Sequence, residues 1–73
     1  MIYRDGRVYL AVLDETRAFL FRVDTGIASG TAHPQSFAAQ CNGAMWLPVA
    51  DSDAPIALQA EIARRAAQPL PPV

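Results

Sequence analysis

Seventy-three residues with a formal net charge of −1 can enclose only one small core, and they carry no general attraction for nucleic acid or an anionic membrane. One cysteine excludes an internal disulfide, and no Cys/His cluster has zinc-site spacing. At 52% hydrophobic residues and with neither kind of staple, oligomerisation is the remaining way for so short a chain to gain stability.

The charge is unevenly spread. Residues 1–23 hold four arginines against Asp5, Asp14 and Glu15, whereas residues 24–63 hold Asp24, Asp51, Asp53 and Glu61 with no Lys or Arg. The middle of the chain is therefore a poor surface for phosphates. All six basic residues are arginine and they accompany fourteen alanines, a pairing expected of a GC-rich bacterial coding sequence. Arg4 and Asp5 interrupt the start of the chain, so no signal-peptide core is expected, and no apolar run reaches membrane-spanning length. With a lone free Cys41, the expected location is cytoplasmic.

In chain order, Met1 to Arg4 reads as a short extended segment. Asp5-Gly6 then predicts a two-residue type I′ turn that pairs Arg4 with Arg7, Tyr3 with Val8 and Ile2 with Tyr9. Val8 to Leu13 and Ala18 to Val23 are rich in β-branched and aromatic residues and predict two more strands. A four-residue loop, Asp14 to Arg17, pairs Leu13 with Ala18. Val8, Leu10, Val12, Phe19, Phe21 and Val23 then share one wholly apolar face. Tyr9, Ala11, Leu13, Ala18, Leu20 and Arg22 share the other. The assignment depends on loop length, because a one-residue slip in register exchanges the sets. Both faces ask for cover, which makes a second copy or another partner a natural candidate.

Asp24 to Ala32, with Gly26 and Gly30, predicts a loop crossing one end of the sheet, with room for a short edge strand. Pro34 opens a short helix whose Phe37, Ala38 and Cys41 share a face and whose stop is Asn42-Gly43. Ala44 to Val49 reads as a fourth strand, and Pro48 confines it to an edge. Asp53 is the expected N-cap of a helix over 54–67, with Pro55 in its first turn. Leu58, Ile62, Ala66, Ala63, Ile56, Ala67 and Ala60 make its apolar arc, and Glu61, Arg64 and Arg65 its solvent arc. Residues 69–73 are expected to form an extended Pro-rich tail after a single domain spanning 1–68. The expected class is α+β: a three-stranded antiparallel meander plus a fourth edge strand, carrying a short helix and a C-terminal amphipathic helix, in the order βββ-α-β-α.

The sequence offers little chemistry. His33 and Cys41 would lie about 10 Å apart across their helix, too far for proton transfer. Asp51 and Asp53 have the spacing of a two-oxygen metal contact, but a helix cap and turn account for both. No glycine-rich phosphate loop occurs. The expected function is accordingly a small non-enzymatic bacterial protein with no cofactor, no metal and no membrane partner. It would self-associate, as a dimer, or contact another protein through Tyr9, Leu20, Arg22 and Trp46. The alternative is a nucleic-acid-binding regulator using Arg4, Arg7, Arg17 and Arg22 beside Tyr3 and Tyr9. A third possibility is a small metal- or thiol-dependent enzyme built on His33, Cys41, Asp51 and Asp53.

Overall fold

The computed structural model describes residues 1–37 and 45–67. Four strands, β1 (Ile2–Asp5), β2 (Val8–Val12), β3 (Ala18–Arg22) and β4 (Leu47–Val49), form one antiparallel sheet in the order β3-β2-β1-β4. One helix, α1 (Ile56–Ala66), follows, and 3₁₀ turns occupy Pro34–Phe37 and Asp51–Asp53. This is the α+β class and the element order that the sequence predicts. Residues 38–44, with Cys41 and the expected Asn42-Gly43 stop, and the tail at 69–73 lie outside the described residues.

The two tight loops decide which side chains meet the core. At the first, Gly6 takes φ +61° while no described non-glycine residue has positive φ, so Gly6 and Arg7 are the central pair. That is the sign pattern of a type II′ turn, in which the first central position needs a residue without Cβ. The expected type I′ turn would have forced Asp5 itself to positive φ. Pairing therefore moves by two, to Ile2 with Ala11, Arg4 with Tyr9 and Asp5 with Val8. An even shift leaves Ile2 and Tyr9 on the same side.

The second loop moves by one, which matters more. Leu13 N donates to the Arg17 carbonyl at 2.9 Å, closing a three-residue loop of Asp14, Glu15 and Thr16. The Asp14 carboxylate fixes it by accepting the Thr16 N–H at 2.8 Å, the Thr16 hydroxyl at 2.9 Å and Arg17 Nε at 2.7 Å. The Thr16 backbone bond above all, then Arg17, brings the Asp14 carboxyl down to about 2. Val12 thus pairs with Ala18, Leu10 with Leu20 and Val8 with Arg22. The expected sorting of faces is overturned. Tyr9 and Ala11 join Phe19, Phe21 and Ile2 in the core beneath Ala54 and Leu58, whereas Val8, Leu10 and Val12 lie on the opposite side. Val23, expected in the core, is 45% exposed.

The helix differs from expectation at its start and in its phase. Ala54 precedes a proline and is held extended (φ −74°, ψ 152°), and Pro55 is extended too (φ −55°, ψ 145°), so helical bonding begins at Ile56. Asp53 ends the preceding 3₁₀ turn instead of capping α1, and Pro55 occupies the cap position with no side-chain bond. Leu58, Ile62 and Arg65, at i, i+4 and i+7, face the sheet, and Ile56 is 83% exposed on the far side.

Arg65 is buried, contrary to its expected place on the solvent arc. Its guanidinium lies 4.1 Å from the centre of the Phe19 ring, donating Nε to Glu61 at 2.7 Å and Nη1 to the Thr31 hydroxyl at 2.9 Å. Arg17 Nη1 in turn reaches the Arg65 carbonyl at 3.4 Å. Hydrogen bonds from Arg64, then Arg65, hold the Glu61 carboxyl below its ordinary value. One side chain thus ties α1 to β3 and to the segment carrying Thr31.

Candidate functional site

The alternation of antiparallel bonding shows what each sheet edge offers a partner. On β3, the odd residues bond toward β2, as Val23 N to the Arg7 carbonyl at 3.0 Å illustrates, which turns Ala18, Leu20 and Arg22 outward. All three outward positions are satisfied within the chain. Ala18 and Ala32 exchange bonds at 2.7 and 2.9 Å, Leu20 N donates to the Ser29 hydroxyl at 2.8 Å, and Arg22 N donates to the Ile27 carbonyl at 3.0 Å. Gly26, at φ +69°, reverses the chain to begin this return, so the segment expected to cross one end of the sheet instead runs back along β3.

The opposite edge is closed by composition. Met1 and Val12 exchange both backbone bonds at 2.8 Å, so Tyr3 and Asp5 bond toward β2 and Ile2 and Arg4 turn toward β4. Ile2 pairs with Val49 and Arg4 with Leu47, leaving Pro48 as the outward residue of β4. Proline has no N–H to donate, as expected of this edge. Strand addition is thus disfavoured at both edges, and recognition through the sheet falls to its faces.

The face opposite α1 has a plain chemistry. Tyr3, Val8, Leu10, Val12 and Leu20 are each half-buried, and a row in which exposed Asp5 and Arg22 flank Val8 crosses the end nearest the first turn. Val8, Leu20, Arg22, Ile27 and Ser29 line a hollow of about 270 Å³ over β3. Arg22 donates Nη2 to Asp24 at 3.0 Å, while Asp5 has no charged partner among the described residues.

The four expected contact residues separate. Leu20 and Arg22 lie on this second face, but Tyr9 does not: it is 6% exposed on the core side with the Arg4 guanidinium 5.7 Å from the centre of its ring. The one-residue-shorter loop accounts for the difference. Trp46 is half-buried just before β4, its indole N–H enclosed and without an acceptor among the described residues. The arginines of the nucleic-acid alternative do not converge. Arg4 and Arg7 lie at the first turn with Arg22 nearby, and Arg17 closes the second loop, one strand length away, bound to Asp14. Arg4 donates to the Gly6 carbonyl at 2.9 Å, so only Arg7 of the four has no side-chain bond among the described residues.

Cys41 lies outside the described residues, and the other residues of the expected metal or thiol centre do not come together. His33 is exposed, its Nδ1 accepting the Gln35 N–H at 3.1 Å, and Asp51 and Asp53 are exposed in their 3₁₀ turn. Among the described residues no group of three or more His, Cys, Asp and Glu could hold a metal ion, and no helix is long and apolar enough to cross a membrane. Arg65 is the residue that sequence reasoning placed wrongly with most consequence. The available signal was its position about 20° from Leu58 at roughly 100° per residue, and four after Glu61. Compared with known proteins, the chain matches no family model, no characterised protein and no solved structure.

Proposed function

We propose that this chain is a small non-enzymatic protein that works by self-association, a second copy covering the sheet face opposite α1. The observation that carries the reading is the apolar plate of Tyr3, Val8, Leu10, Val12 and Leu20, half-buried in one chain while both neighbouring edges are closed to strand pairing. A contiguous apolar patch rimmed by charged residues is characteristic of interaction surfaces. Leu20 and Arg22 belong to this surface. Tyr9 acts from the other side as core.

Sedimentation equilibrium across a concentration series tests the proposal. The wild-type mass should rise toward twice the 7.9 kDa of one chain. Leu20→Asp places a carboxylate on the plate beside its central Leu10 and should hold the mass at one chain over the same range, with unchanged circular dichroism. If that substitution disturbs folding, Leu20→Ser gives the same comparison more gently. A wild-type chain that stays single at every concentration would remove the proposal.

A further inference from the structure

We infer that the second copy sits face to face with a two-fold axis running along β2, pairing Asp5 of each chain with the partner's Arg22; this rests on the self-association proposed above. The returning segment around Ile27 to Ala32 lies outside β3, and β4 lies outside β1, so β2 is the middle of five. Across it, residues directly opposite one another form two rows on the second face: Asp5, Val8, Arg22 and Tyr3, Leu10, Leu20.

The first row reads acid, apolar, base. A sheet turned over about an axis parallel to β2 is reversed from side to side but not end to end. Its β1 then lies over β3 of the first chain, and its base over the first chain's acid. Two reciprocal Asp5–Arg22 pairs form at once, with Val8 on Val8 and Leu10 on Leu10 along the axis. An axis perpendicular to the strands within the interface would instead place the charged row over the far end of the sheet, setting Asp5 over the Met1 ammonium but Arg22 over Ala18 with no acid to meet, so that only one of the two charges is paired. Charge complementarity therefore selects one of the two arrangements.

Two further observations fit the same arrangement. The reversal lays the partner's Tyr3 over Leu20, beside the apolar hollow of about 270 Å³ on β3, and the hollow offers room for its ring. Asp5 is exposed with no charged partner among the described residues, and Arg22 uses only one nitrogen on Asp24. Aligned sheets cross at about 30°, which long side chains at the ends of a row can follow. Five ribbons at about 4.8 Å and five residues at about 3.4 Å make a plate of roughly 400 Å². That is half the roughly 800 Å² per partner of a stable complex, so association should be concentration-dependent.

Charge reversal tests the geometry. Asp5→Arg alone sets two guanidinium groups against each other at both pairs, and Arg22→Asp alone sets two carboxylates against each other. Each variant should therefore self-associate about tenfold more weakly than wild type. Mixed in equal amounts, the two variants form opposite-charge pairs at both positions, and the mixture should regain the wild-type mass at the wild-type concentration. Both positions are exposed, and thermal melts of each variant verify folding. Single variants that associate like wild type, or a mixture that stays monomeric while wild type associates, would overturn the two-fold arrangement and leave self-association standing. A monomeric wild type would end both.

Discussion

Phe19→Ala should destabilise the protein by about 3–5 kcal/mol, the range for removing a fully buried aromatic ring. Phe19 has no exposed surface and is, with Leu58, one of the two largest fully buried side chains. It pairs with Ala11 of β2, whose single methyl group cannot move into the space, and Ile2 next in the row belongs to β1. The vacated volume therefore cannot collapse easily. The Arg65 guanidinium would also lose the ring face beneath it. A domain of this length is stabilised by about 4–11 kcal/mol in total, so the variant should be largely unfolded or melt far below wild type. Val23→Ala provides the contrast. Had the four-residue loop formed, Val23 would share the core; at 45% exposure its truncation should cost under about 0.5 kcal/mol. Urea unfolding of the two variants measures both, and equal costs would contradict the face assignment.

Arg65→Ala should cost about 2–4 kcal/mol, an unusual sum for a residue on the last turns of a short helix. Three losses combine: the stacked guanidinium over Phe19, the bond to the Thr31 hydroxyl, and one of the two arginines on Glu61. Glu61 keeps Arg64 and remains partly solvated, which places the cost below that of stripping a fully buried ion pair. Arg65→Met would return the packing of the stem without the bonds and should recover about 1–2 kcal/mol. Arg65→Lys keeps the charge but not the planar fork, and should remain weaker than wild type. An alanine variant within about 0.5 kcal/mol of wild type would show that the side chain is a bystander.

These residues show where sequence reading works and where it stops. The strands were legible because β-branched and aromatic runs are bounded by Asp, Gly and polar loops, and Pro48 marked β4 as an edge. The core was not, because parity depends on whether the second loop holds three residues or four. Asp14 settles that through a local carboxylate network that no hydrophobic pattern encodes. The helix phase was lost for a related reason: alanines around α1 blur the apolar arc, and Arg65 buries its stem while keeping polar partners.

The candidate surface was legible in part. Leu20 and Arg22 share a face under either register, since both lie on one strand and alternate together. Tyr9 was lost to the core with the slip. The closure of the β3 edge depends on the Ser29 hydroxyl reaching the Leu20 N–H from nine residues away, a contact visible only once the chain has reversed at Gly26. That closure is what directs association toward the face, so the interaction surface follows from loop geometry as much as from strand composition.

The core and the interaction face both depend on the register of β2 against β3, and cross-strand α-proton contacts in a nuclear Overhauser spectrum measure it directly. Val8 with Arg22 and Leu10 with Leu20 are the non-hydrogen-bonded pairs, whose Cα atoms approach to about 4.5 Å. Strong α-proton contacts between those partners would place Tyr9 in the core and Leu20 on the interaction face, as described. Strong contacts between Val8 and Val23 and between Leu10 and Phe21 would instead establish the four-residue loop. They would return Val8, Leu10 and Val12 to the core side and contradict both the core and the face.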